Sequence, residues 1–154
     1  MMSFLLLAIA AAQPAAAEPP FREYRGSTLF AVDPLSEERY PTVAIPYRPD
    51  AICYEWVQFF AGENRVVTVR ETIELPAAPA SWGAAPALGT RVEADGRRGV
   101  TEFSDSLDDG QINRRWCVVR GDPLGPYRIR IEADGQLLEE IRFDMVADTA
   151  EPKD

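Results

Sequence analysis

Any chemistry in this chain must come from carboxylates, two cysteines and aromatic rings. The sequence holds 25 Asp and Glu, 2 Cys, 3 Trp, 5 Tyr and 7 Phe, and no His. Without histidine there is no Ser-His-Asp or Cys-His catalysis, no common zinc site and no ordinary acid–base group for neutral pH. The one lysine, Lys153, lies at the far C-terminal end, so a buried Schiff-base lysine is also excluded. Neither a Walker pattern nor a GxGxxG run occurs. A pair of carboxylates suffices for glycoside hydrolysis, and Glu55 and Glu71 draw notice because each interrupts an apolar or aromatic stretch. Their ordinary reading is an ion pair with arginine or an edge position facing water, and the chain is read as non-catalytic with no cofactor. The run Asp105-Ser106-Leu107-Asp108-Asp109-Gly110 offers oxygen ligands, but it lacks the alternating acidic spacing and the distal Glu of a calcium loop. It is read as an acidic turn, with no metal site.

Cys53 and Cys117 form an even pair and are expected to be disulfide-bonded in an exported chain. The aromatics around Cys53 are the candidate binding residues. In a strand, Cys53, Val57 and Phe59 share one face, while Tyr54, Trp56 and Phe60 share the other. An apolar pattern on both faces fits a central strand, or a sheet whose second face is covered by the loop carrying Trp82. It also fits an aromatic platform for a partner or ligand, formed by Tyr54, Trp56 and Phe60 and completed at its edge by Trp82.

The elements that must position these residues read as strands. Residues 27–32 form a first one, closed by Asp33-Pro34, and 42–45 a short extended piece ending at Pro46. Residues 52–60 are apolar and aromatic. In 65–75, Val67, Val69, Ile73 and Leu75 share a face opposite Arg70, Thr72 and Glu74. Residues 76–89 are rich in Pro, Ala and Gly and form a long loop. Residues 90–111 read as irregular, with short strands around Val92 and at 100–103, and 112–120 as a further strand. Tyr127, Ile129, Ile131 and Ala133 then alternate with charged residues. Asp134-Gly135 makes a tight turn, and Ile141, Phe143 and Met145 line the returning strand. Short strands between regular turns, without helical periodicity, predict an all-β antiparallel sandwich of 7–8 strands over 18–146, followed by a flexible tail at 147–154.

The stretch from Gly125 through Tyr127, Asp134-Gly135 and Phe143 resembles the final hairpin of bacterial immunoglobulin-like or fibronectin-III-like domains. That resemblance implies a Greek-key sandwich and leaves function open. It departs from the antibody pattern in two places. Tyr127 follows Cys117 across a Gly-Asp-Pro turn instead of preceding it on the same strand, and Trp56 lies three residues after Cys53 instead of well beyond it.

Residues 4–12 are an unbroken apolar run, too short to span a bilayer, and Ala15-Ala16-Ala17 supplies a small-residue cleavage pattern. Residues 1–17 are therefore read as a cleaved signal peptide that sends the mature chain to the bacterial periplasm or the exterior. A net charge of −9 repels phosphate backbones and anionic head groups, which makes nucleic acid a poor partner, disfavours docking on anionic lipid, and leaves no stable membrane insertion expected after signal cleavage. The resulting expectation is an exported interaction module that binds another envelope protein. The alternative is a sandwich that binds carbohydrate or a small ligand by aromatic stacking.

Overall fold

The computed structural model describes residues 21, 23–62 and 64–149. The expected signal segment, 1–17, and the last residues of the expected tail lie outside them. The strands are β1 (Tyr24–Val32), β2 (Arg39–Pro41), β3 (Ala44–Pro46), β4 (Cys53–Phe60), β5 (Val66–Glu74), β6 (Thr90–Val92), β7 (Arg98–Ser106), β8 (Gln111–Cys117), β9 (Gly125–Ala133) and β10 (Gln136–Val146). Seven of these are long, and β2, β3 and β6 have three residues each. They form a four-stranded sheet, β2-β1-β4-β8, and a six-stranded sheet, β3-β10-β9-β5-β7-β6. All pairings are antiparallel except that of β3 with β10.

Alternation drives the layering. On β5, Val67, Val69, Ile73 and the following Leu75 are buried, while the intervening side chains turn outward. On β9 and β10, Tyr127, Ile129, Ile131, Ala133, Ile141, Phe143 and Met145 are buried in the same way. The connecting turn places both Asp134 (φ 48) and Gly135 (φ 79) in the left-handed region, as a two-residue hairpin of this hand requires. The outer face of the six-stranded sheet is a lattice of arginine and acid: Glu74 meets Arg128 at 2.5 Å and Arg98 at 3.2 Å, and Glu140 meets Arg142 at 2.6 Å. Arginine donors hold the Glu74 carboxyl below its ordinary pKa, Arg128 most of all. Much of the arginine of this chain is thus spent on its own carboxylates.

One expectation needs correction. The segment read as irregular contains β7, which pairs with β5 along its whole length, from Val66↔Ser106 to Glu74↔Arg98. Its polar composition hides a buried pair, in which the hydroxyls of Thr90 and Thr101 share a hydrogen bond of 2.8 Å. Satisfied in this way, threonine serves as a core residue. In the expected tail, Asp148 is held by Arg48 through bonds of 2.8 and 3.0 Å.

The two sides of the sandwich differ. On one, the N-terminal segment lies first in the four-stranded sheet as β1 and then crosses to pair with β10 as β3. On the other, β8 ends its sheet. Cys53 and Cys117 are opposite each other on β4 and β8, with Cα atoms 3.8 Å apart, and are disulfide-bonded. The bond lies within one sheet, unlike the antibody bridge between layers. The Tyr127 hydroxyl nevertheless donates to the Pro123 carbonyl at 3.0 Å, the backward bond of a tyrosine corner. Closure of a 64-residue separation restricts the unfolded chain, so reducing the disulfide is expected to lower unfolding free energy by about 2–4 kcal/mol. Urea titration with and without reductant reads this, and an unchanged midpoint would remove the disulfide from the stability of the fold.

Candidate functional site

The site is built on the side where no strand crosses between the sheets. Glu71 is the one charged residue on the inward face of β5, and it is completely buried. Three groups from the opposite sheet reach it. The indole N–H of Trp56, on β4, donates to Glu71 Oε2. The indole N–H of Trp116, on β8, donates to Oε1 at 3.1 Å and Oε2 at 3.2 Å. Arg114 Nε lies 3.4 Å from Oε1, and its guanidinium sits over the rings of Trp116 and Phe103, 5.2 and 5.5 Å from their centres. Burial raises the Glu71 pKa above its ordinary value, and the two indoles and Arg114 oppose that rise without cancelling it.

Trp116 carries this arrangement into a pocket. Loop 76–89 folds back so that the Trp82 indole donates to the Gly96 carbonyl at 2.9 Å, and its ring meets that of Trp116 edge-on, with centroids 6.4 Å apart. Gly99 on β7 provides the seat, since a Cβ there would stand 2.7 Å from the Trp82 ring. Between the loop, β8 and the gap between the sheets lies a cavity of about 290 Å³, walled by Tyr54, Leu75, Trp82, Trp116 and Tyr127, with Asp122 among its few polar groups. Asp122 accepts a hydrogen bond from the Val119 N–H at 2.9 Å, and burial raises its pKa. Tyr54 is buried, which pushes its hydroxyl pKa well up.

Of the aromatics singled out in the sequence, Tyr54 and Trp82 meet in this pocket. Trp56 is fully buried and reaches the pocket only through Glu71. Phe60 is buried at the far end of β4 against Phe21 and Tyr24. The four do not form a flat exposed platform. Glu55 turns to the outer face of its sheet, 3.4 Å from Arg115 and 3.5 Å from Arg39, whereas Glu71 lies between the sheets. The two carboxylates therefore do not flank a common substrate position. The acidic turn at 105–110 connects β7 to β8 around a fully buried Leu107.

The model of the PM0630 beta sandwich domain matches residues 27–146. The chain belongs to that family. Every residue of the Glu71 cluster and of the pocket falls within the PM0630 domain. No curated protein matches the chain. The domain is similar to an immunoglobulin-like protein from Pseudomonas aeruginosa whose crystal structure is known, at 13% identity and a TM-score of 0.52, covering 85% of this chain and 100% of that one. It also matches an alkylpurine DNA glycosylase of Pseudomonas fluorescens bound to DNA with an abasic-site analogue, at 14% identity and a TM-score of 0.38, over 77% of this chain and 30% of that one. The first likeness shows an immunoglobulin-like sandwich fold.

Sequence reading missed Trp116, Arg114, Tyr127 and Asp122 as site residues. The signal for Trp116 and Arg114 was Glu71, an acid on an otherwise apolar face, which requires buried donors. An acid whose folded pKa is raised binds its proton more tightly when folded, so its contribution to stability declines as pH rises from its ordinary value of 4.5. The stability advantage of the wild type over Glu71→Gln is accordingly expected to shrink as pH rises from 4.5. Urea titrations of both proteins from pH 4.5 upward measure it. A gap that widens with pH would mean that the indoles and Arg114 outweigh burial.

Proposed function

We propose that this chain is an exported, non-catalytic interaction module of the bacterial envelope, and that it binds a partner protein by seating an apolar side chain in the pocket between β8 and loop 76–89. The observation that carries this reading is the pocket itself: aromatic and aliphatic walls with few polar groups, large enough for one bulky side chain. Its anchors, Trp82 and Trp116, are of a residue type that dominates protein recognition. The N-terminal apolar run and the disulfide support export. The acidity of the chain argues against nucleic acid as the partner.

The carbohydrate reading is the weaker one. Sugar binding needs an open aromatic face and many hydrogen-bonding groups around it, whereas Trp82 and Trp116 meet edge to face inside a recess that offers few.

Titration of tryptophan fluorescence separates the two. N-acetyl-tryptophanamide and N-acetyl-phenylalaninamide are expected to shift the emission, and cell-wall glycan fragments to leave it unchanged. Trp82→Ala is expected to weaken binding of the amino-acid amides at least tenfold, roughly 1.4 kcal/mol. Glycan binding that depends on Trp82, with no response to the amides, would replace the protein-partner reading.

A further inference from the structure

We propose that what enters the pocket is carried on an extended segment of the partner, which adds to the free edge of β8 as a fifth strand of the four-stranded sheet. The proposal rests on the pocket reading above and adds the form in which the partner presents its side chain.

The edge is available because of its register. The Val118 N–H donates to the Ile52 carbonyl at 3.0 Å, and the Phe60 N–H to the Gly110 carbonyl at 2.7 Å. In an antiparallel ladder, hydrogen-bonded and non-hydrogen-bonded pairs alternate. The even-numbered residues of β8 therefore bond to β4. Asn113, Arg115 and Cys117, opposite Val57, Glu55 and Cys53, turn their N–H and C=O groups away from it.

β8 is paired with β4 along its whole length and open along the whole of its other edge, whereas the other edge strands are short and cover only part of a longer neighbour: β2 pairs with 30–32 of β1, β3 with 144–146 of β10 and β6 with 99–101 of β7. β2 and β3 have three residues each and end in Pro41 and Pro46, and β6 also has only three. Short strands and prolines are the usual protection against pairing with another chain. β8 has seven residues, holds neither proline nor glycine, and pairs with β4 without a register shift. Its two arginines do not guard it with free charge. Arg115 bonds Glu37 through both amino nitrogens, at 3.1 and 2.9 Å, and Arg114 faces Glu71. The disulfide fixes the end of the strand at Cys117, so little ordering remains to be done on binding.

The pocket follows the same edge. Arg114, Arg115, Trp116 and Cys117 line one wall, and loop residues around Trp82 line the other. An added strand would send every second side chain inward, toward Tyr54 and the two tryptophans.

The test uses the full chain, immobilised, to select from a displayed library of random heptapeptides, followed by synthesis of the tightest binder. Adding that peptide is expected to slow amide exchange at least tenfold at Asn113, Arg115 and Cys117. Asn113→Pro removes an outward N–H and spares the ladder to β4; it is expected to weaken binding at least tenfold, while Asn113→Ala leaves it unchanged. Should the proline variant fail to fold, N-methylation along the peptide replaces it: methyl groups at one alternate set of residues are expected to abolish binding, and at the other to be tolerated. A peptide that binds and depends on Trp82, yet neither slows those amides nor shows the alternation, overturns strand addition and leaves the pocket reading standing. Failure to select any peptide that depends on Trp82 overturns both. A peptide-free dimer that protects the same amides overturns the proposal in favour of a second copy.

Discussion

Glu71 lies between two sheets and must be satisfied from across the gap. It projects from β5, in the six-stranded sheet, and every donor that reaches it comes from β4 or β8 in the other. A buried carboxylate without partners would cost several kcal/mol, so the sheets cannot slide or splay at this point without exposing or stranding a charge. Hydrophobic burial holds the layers together generally but is indifferent to small shifts in register. The Glu71 contacts are directional, and they fix which face of Trp116 looks into the pocket and where the Arg114 guanidinium stacks. The shape of the recess follows from that one acid.

The contrast between the two sides of the sandwich has the same origin. On the β1 side, a continuous backbone crosses from one sheet to the other and supplies hydrogen bonds to both. On the β8 side, side chains and a loop must close the gap. Loop 76–89 does so with one indole, seated over Gly99 and hydrogen-bonded to Gly96, and with a backbone bond from Ala80 to Gly121. Closure by a few contacts leaves a recess and an unpaired strand edge next to each other, a combination suited to recognising another chain.

The parts of the fold legible in the sequence were those whose information is local. The β9–β10 hairpin declared itself through strict alternation and an Asp-Gly turn, and β5 through its β-branched face. β7 did not, because Thr101 becomes a core residue only when Thr90 is placed against it. On β4, aromatics on both faces could not reveal that a second layer covers Trp56 and Phe60. Half of the site was visible as Glu71 and Trp82. The other half, Arg114 and Trp116, sits in a strand reading QINRRWC whose inward face is set by pairing with β4, far away in sequence.

The coupling between Glu71 and Trp116 is the quantity on which this description stands. A double-mutant cycle with Glu71→Gln and Trp116→Phe, read by urea unfolding at pH 7, removes the acid and the indole donor separately and together. An interaction energy of about 1 kcal/mol or more is expected if the acid clasps the second sheet through that ring. Additivity within about 0.3 kcal/mol would contradict it and leave the position of Trp116 to packing alone.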